Sequence, residues 1–323
     1  MNPMTPYSAR CLAATLALFL PTAAFASCGA AFCTVNTNWT SQSVLVDGSG
    51  SYDLHYESID QDQPYAGGHA YAPGAVARHH DEVSTVNRNL VATYSTGFAN
   101  GWGLALVVPI GDRDHVHLHH HEDEVVTEEW KFRELGDIRL LGRYQVASVG
   151  TALNPGKAGV ILGLKLPTGR FTIANGDGDV AERSLQPGTG TLDLIVGGYV
   201  HQRYLDSDSA WFAQAQYQHP VTSRSGYAPG GQLGVDVGYR KGVGDRVGLL
   251  AQLNYLHKGR DRGSEAEPDD SGGRYLSASA GLSYTFSDRL QVYGFYQRPI
   301  LRHVNGVQLT ADQAFMIGLS GQL

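Results

Sequence analysis

From about residue 51 to Leu323 the chain returns repeatedly to short runs in which apolar and polar residues alternate, and this constrains its fold more than any other feature. The clearest run is DIRLLGRYQV at 137–146. A period of two sets Ile138, Leu140, Tyr144 and Val146 on one face and Asp137, Arg139, Arg143 and Gln145 on the other. A half-buried soluble sheet does this once or twice. Here the pattern recurs about a dozen times with few helix-like stretches between. That is the signature of an all-β, transmembrane antiparallel β-barrel with lipid outside and a polar lumen inside.

The first residues read as a targeting segment. Arg10 precedes an apolar stretch at 11–20, followed by Pro21, small residues and Ala24-Phe25-Ala26, the A-x-A form of a cleavage site. Residues 1–27 are therefore expected to be a cleaved signal peptide, with the mature chain starting at Ser27 or Cys28. A second reading stays open at this point, a lipid-modified Cys28, for which Phe25 is a poor start to the recognition box. Residues 28–50 lack a period and form a periplasmic or lumenal N-terminal segment. Its two cysteines, Cys28 and Cys33, suit a small disulfide loop in an oxidising compartment better than a metal pair, since no histidine lies nearby. No apolar run is long enough to span a bilayer as a helix, so membrane residence requires strands over 51–323.

Strands are expected at 51–59, 86–96, 102–110, 137–146, 159–166, 191–203, around 211–218, 232–240, 247–256, around 276–285, 290–297 and a last one running to the terminus. The connections alternate long (60–82, 112–134, 168–188) and short (98–101, 150–157, 205–209, 241–245, 287–289). Bacterial barrels alternate short periplasmic turns with longer external loops in this way, and about twelve strands satisfies the layout. A periplasmic β-sandwich would also alternate, but its outer faces must be wet, and the outward rows here carry almost no charge. Glycine (40) and tyrosine (17) are abundant, as tight turns and aromatic girdles require. The net charge of −7 argues against nucleic acid as a partner. The expected partners are outer-membrane lipid, the barrel-assembly machinery and a small solute; nothing in the sequence fixes the oligomeric state. The final strand places Phe315, Ile317, Leu319 and Leu323 on one face, like a barrel-assembly signal that ends in leucine where an aromatic is usual.

Three stretches, ELGDIRLLGRYQ at 134–145, LKLPTGRF at 164–171 and LQPGTGTLDLIVGGYV at 185–200, resemble the outer-membrane transporter family labelled after the meta pathway of phenol degradation. The resemblance covers most of the barrel. It implies an outer-membrane barrel that passes small, frequently aromatic, molecules, and carries over no functional residue. Read physically, Pro167-Thr168-Gly169 and 186–190 are turn signals at a barrel rim.

The sharpest local feature is GDRDHVHLHHHEDE at 111–124. Imidazoles two apart on a strand share a side, which suits Zn or Cu. With RHHDE at 78–82 on the same side of the membrane, His79, His80, His115, His117 and His119 form a candidate metal site; solvated loops that bind metal through composition alone are the plainer reading. No cofactor is required. Asp53, His55, Glu57, Asp137, Arg139, Arg143, Lys165, Asp193, His201, Asp236 and Arg240 are candidate lumen residues, forming either a selective constriction or structural ion pairs. Ile161, Tyr199, Tyr293 and Phe295 are apolar lumen positions. Catalysis has little support, because no serine follows His219 or His257 at a useful spacing. The expected function is channel-type transport of a small solute, hydrophobic, aromatic or metal-linked. The alternative is a non-conducting, metal-binding or metal-sensing surface barrel.

Overall fold

The computed structural model describes residues 49–72, 81–121, 124–287 and 289–323. Its strands are β1 (Gly50–Ala66), β2 (His69–Ala70), β3 (Asp81–Gly97), β4 (Trp102–His121), β5 (Glu124–Leu135), β6 (Arg139–Gly150) and β7 (Pro155–Lys165). The second half adds β8 (Asp193–Tyr204), β9 (Ser209–Pro220), β10 (Gln232–Val243), β11 (Val247–Lys258), β12 (Gly273–Ser287), β13 (Leu290–Val304) and β14 (Val307–Gln322). Neighbours pair antiparallel in chain order, and β14 pairs back onto β1 from Ser51↔Gln322 to Ala66↔Val307, which closes the sheet. β2 is a two-residue return on β1, and β5 pairs with the outer half of β4 directly above β6. Neither adds a stave. The protein is a closed antiparallel barrel of twelve staves, as the alternation predicts.

Side chains sort by face as the period requires. On β4 the outward Trp102, Leu104 and Leu106 are 39–49% exposed, while on β1 the inward Asp53, His55 and Glu57 are buried. A fully apolar outer row with a polar interior inverts a soluble core and is stable only with lipid around it. The belt on β4 runs from Trp102 to Ile110, nine residues, within the roughly 9–11 a tilted strand needs to cross a bilayer. Trp102 packs against Tyr144 on the periplasmic rim, with ring centroids 4.7 Å apart and tilted by 37°. At the outer rim, Arg88 reaches Asp112 (3.3 Å) and Asp114 (2.8 Å) across the outward face. Such charges belong to water, so β3, β4 and β5 continue beyond the membrane.

That continuation differs from the sequence expectation. Residues 60–66 remain in β1, and 112–134, expected as a loop, form the tall hairpin β4–β5 with the tip at 122–123 outside the described residues. Strand alternation persists there, but with polar residues on both faces, so the apolar signal that marks a membrane strand is lost. The wall is therefore lopsided. β1, β3 and β4 run 17, 17 and 20 residues, whereas β6 to β10 run 11 or 12. Segment 166–192 folds over the low side and buries Ile173, Ala181 and Leu185, the last two against Trp130 of β5.

The join between β5 and β6 explains how one stave can break. On β4, Ile110 pairs with Leu135 and Val107 with Arg139, so two residues face three. Pro109 lies in this gap and has no N–H to continue the ladder. Its carbonyl accepts from Gly136 N at 2.9 Å. Asp137, expected to start a strand, is instead released from the ladder and turns inward.

The expected signal peptide at 1–27, the candidate Cys28–Cys33 pair, the segment up to residue 48, and His79 and His80 lie outside the described residues.

Candidate functional site

The lumen is organised in layers. At the periplasmic floor, Asp53 accepts from Tyr293 Oη (2.7 Å) and pairs with His55 Nδ1 (2.7 Å). Beside them Leu250, Tyr293, Phe295 and Met316 form one apolar cluster. A second cluster, Ala105, Leu141, Ile161, Ile195 and Tyr199, comes from β4, β6, β7 and β8, with Arg143 held over the Tyr199 ring at 5.6 Å. Glycines on neighbouring strands let these rings lie flat. A Cβ on Gly318 would come within 2.4 Å of the Tyr293 ring. His201 is buried on β8, whereas Arg240 lies near the periplasmic turn, donating to Asp208 at 2.9 Å.

Above the floor a polar layer crosses the barrel. Glu57 accepts from Asn89 Nδ2 at 2.8 Å, and Arg139 faces Asp193, Asp137 and Glu57. Lys165 Nζ lies 2.7 Å from Asp137 and 3.4 Å from Asp193, all three nearly fully buried. Asp137 also accepts the backbone N–H of Gly169 and of Thr189, each at 3.0 Å. Thr191 Oγ1 donates to Asp193 at 2.7 Å. A buried ammonium between two carboxylates is tolerable only with such saturation of the remaining lone pairs. The three motif stretches of the family resemblance thus converge on one ion-paired cluster, at the level where segment 166–192 leaves and rejoins the wall.

Over this layer lies a chamber of about 300 Å³. Val91, Val107, Phe132, Leu141, Ile195 and Leu256 supply its apolar wall; Arg113, Arg139, Asp236 and the glutamines of β9 supply polar groups. Asp236 accepts from Asn254 Nδ2 at 2.7 Å. Gln214 is buried with its carbonyl oxygen lacking a hydrogen-bond partner.

The roof belongs to segment 166–192. Trp130 Nε1 donates to the Asp179 carbonyl at 2.9 Å, and Arg113 donates to the Leu185 carbonyl and to Asn87 Oδ1. The guanidinium of Arg183 lies 4.7 Å from the rings of both Phe171 and Tyr227, and its Nη atoms donate to the carbonyls of Thr189 (2.8 Å) and Arg224 (3.1 Å). Tyr227 Oη in turn donates to Asp261 at 2.8 Å. Beyond the roof is a second cavity of about 380 Å³, lined by Glu82, Glu182, Glu265, Glu267 and Asp270 among others. Burial, with Glu267, Glu82 and Asp270 close by, holds the Glu182 carboxyl well above the usual range.

The histidine hairpin sits against this roof. His115 and His117 are both buried on the inner face of β4, edge to face at 5.8 Å and each packed near Trp130. His115 Nδ1 is 2.7 Å from Thr85 Oγ1, and His117 Nδ1 is 3.9 Å from Glu182. Burial, with His117 and Arg113 nearby, pushes His115 down to about 3. His119 continues β4, its side chain outside the described set. Among the described residues no three His, Cys, Asp or Glu are grouped to hold a metal ion.

No family model matches the chain, and no curated protein matches it. Solved structures do. The COG4313 outer membrane channel from Pseudomonas putida F1 superposes with a TM-score of 0.67 at 14% identity, covering 90% of this chain and 100% of that one. The NanC porin covers 84% of this chain and 100% of its own at a TM-score of 0.42 and 11% identity. The KdgM porin covers 84% and 98% at 0.39 and 11%. The first of these likenesses bears on the fold and agrees with it: the protein is an outer-membrane β-barrel.

Proposed function

We propose that this barrel is a channel that admits a small, mainly apolar solute across the bacterial outer membrane. The observation that carries this reading is the chamber itself, a cavity of about 300 Å³ between an outer roof and an inner floor, in which an apolar strip of Val91, Val107, Phe132, Leu141, Ile195 and Leu256 faces polar and charged side chains. Sites of that make-up hold small organic molecules. The description of the Pseudomonas putida neighbour as a channel supports the reading, as does the resemblance to the family labelled after phenol degradation. The solute enters through the outer cavity, rests in the chamber, and leaves when side chains at the floor move.

The test is uptake of radiolabelled phenol at low concentration by bacteria with intact lipopolysaccharide that express the protein. Faster entry than in vector controls is expected. Equal rates would sink the transport reading.

A further inference from the structure

The two cavities share a septum: Arg183, Ser184 and Tyr227 line both the chamber and the outer cavity. Arg183 is the charged member. Its hydrogen bonds go to the carbonyls of Thr189, Arg224 and Ser225, and its faces to Phe171 and Tyr227. Among the described residues no carboxylate lies within ion-pair distance of it, and its buried Nε has no hydrogen-bond partner. A guanidinium carries five N–H donors and cannot be deprotonated in a protein. Its positive charge is therefore permanent and faces the passage.

The outer cavity has the opposite sign. Glu82, Glu182, Glu265, Glu267 and Asp270 line it, and Arg183 is the fixed cation in that lining, with His117 the other basic side chain. Any solute coming from outside meets an acidic cavity and then a fixed cation. An anion is disfavoured at the first, and a cation that gathers there is disfavoured at the second. Only a neutral solute meets neither barrier, and the chamber beyond offers it the apolar strip of Val91, Val107, Phe132, Leu141, Ile195 and Leu256. Pores use a fixed arginine at a narrow point in the same sense, to exclude cations.

We propose that Arg183 is a specificity-determining residue of this passage, a charge barrier in series with the acidic outer cavity, so that the chamber takes uncharged organic solutes and rejects ions of both signs. This rests on the channel reading for its biological meaning, but the barrier concerns entry to the chamber alone.

The test is thiol access to the chamber. Ser277, which lines the chamber, is replaced by cysteine in the full-length protein with Cys11, Cys28 and Cys33 changed to serine. Modification from outside is timed with methanethiosulfonates of three kinds: neutral methyl, cationic ethyltrimethylammonium and anionic ethylsulfonate. The neutral reagent should react fastest. Arg183→Gln should raise the cationic rate by about tenfold, as removal of one unit charge at close range allows, and leave the neutral rate unchanged. Arg183→Lys should keep the cationic rate low. An unchanged cationic rate in Arg183→Gln overturns the proposal, as does an equal rise for all three reagents, which would make Arg183 a mere steric plug. Heat-modifiable gel mobility confirms that each variant is folded. Failure of phenol uptake with the charge barrier intact would remove the transport reading and leave this one standing.

Discussion

Lys165 Nζ lies 2.7 Å from Asp137 Oδ2, with both side chains at most 7% exposed. Asp137 has left the ladder at the Pro109 break, and Lys165 ends β7, so this contact ties the two ends of the low wall to the base of the roof segment. Replacing Lys165 with Met should leave Asp137 and Asp193 as two buried carboxylates without their cation, at a cost of about 3–5 kcal/mol. The expected result is a lower melting temperature and faster proteolysis within 166–192 in the folded barrel. Wild-type protection of that segment would show that the ion pair does not anchor the roof.

A steric contact makes a second, sharper test of the same region. A Cβ added at Gly188 would lie 2.3 Å from the Gly169 carbonyl oxygen, and both groups are backbone, so neither can swing away. Gly188→Ala should therefore destabilise the rim by about 1–3 kcal/mol or more, as overpacking does. Gly176→Ala, where nothing lies within 4 Å, is the control and should be nearly silent. Thermal melts of the two refolded variants decide it; equal melting temperatures would mean the Gly169–Gly188 approach is loose.

The barrel was legible in the sequence because lipid and lumen impose a strict period of two on every stave, and residues such as Leu54 and Asp53 or Leu162 and Ile161 fall on the faces that period predicts. The outer hairpin was not. Once β4 leaves the membrane its outward face becomes Asp112 and Asp114, and a strand that is polar on both sides reads as loop. The candidate site was visible in part. Asp137, Lys165 and Asp193 were each placed in the lumen, yet their meeting depends on the missing N–H of Pro109. The three shared motif stretches, one around each residue, were the signal that they belong together. Arg183 left no trace, since its partners Phe171 and Tyr227 lie in two separate loops without periodicity. The histidines were conspicuous for composition, but His115 and His117 are buried under the roof with Thr85 and Trp130 as neighbours.

The burial of His115 has a consequence in acid. Its folded pKa of about 3 lies below the unfolded value near 6.5, so the unfolded chain takes up a proton that the folded hairpin refuses. Its contribution to stability is whole above about pH 6.5 and is lost as the pH falls toward 3. Glu182 has the opposite sign, because a raised carboxyl pKa favours the folded roof at low pH and loses that advantage as the pH rises through the folded value. Hydrogen exchange across 112–118 and 126–132, corrected for intrinsic rates, should show the hairpin opening as the pH drops from 7 to 4. His115→Gln should flatten that dependence. An identical profile in the variant would place the acid sensitivity elsewhere.

On the proposed channel reading, passage to the periplasm is decided at the floor. Phe295 is 4% exposed, edge to face with Tyr293 at 6.2 Å, and clustered with Leu250 and Met316. Its ring lies over Gly281, where an added Cβ would come within 2.6 Å, so the neighbouring strand has no side chain that could fill the space if the ring were removed. Phe295→Ala should therefore open the lumen below the chamber, and planar-bilayer recordings should show a severalfold rise in conductance over wild type. Tyr293→Phe keeps the volume and removes only the hydroxyl that donates to Asp53 at 2.7 Å, so its conductance should stay near that of the wild type. Because conductance is limited by the narrowest segment in series, Arg183→Gln should raise ion current further only when combined with Phe295→Ala. If Phe295→Ala conducts no better than wild type, the resistance of the barrel does not lie in this cluster, and the exit for the solute must be sought elsewhere in the wall.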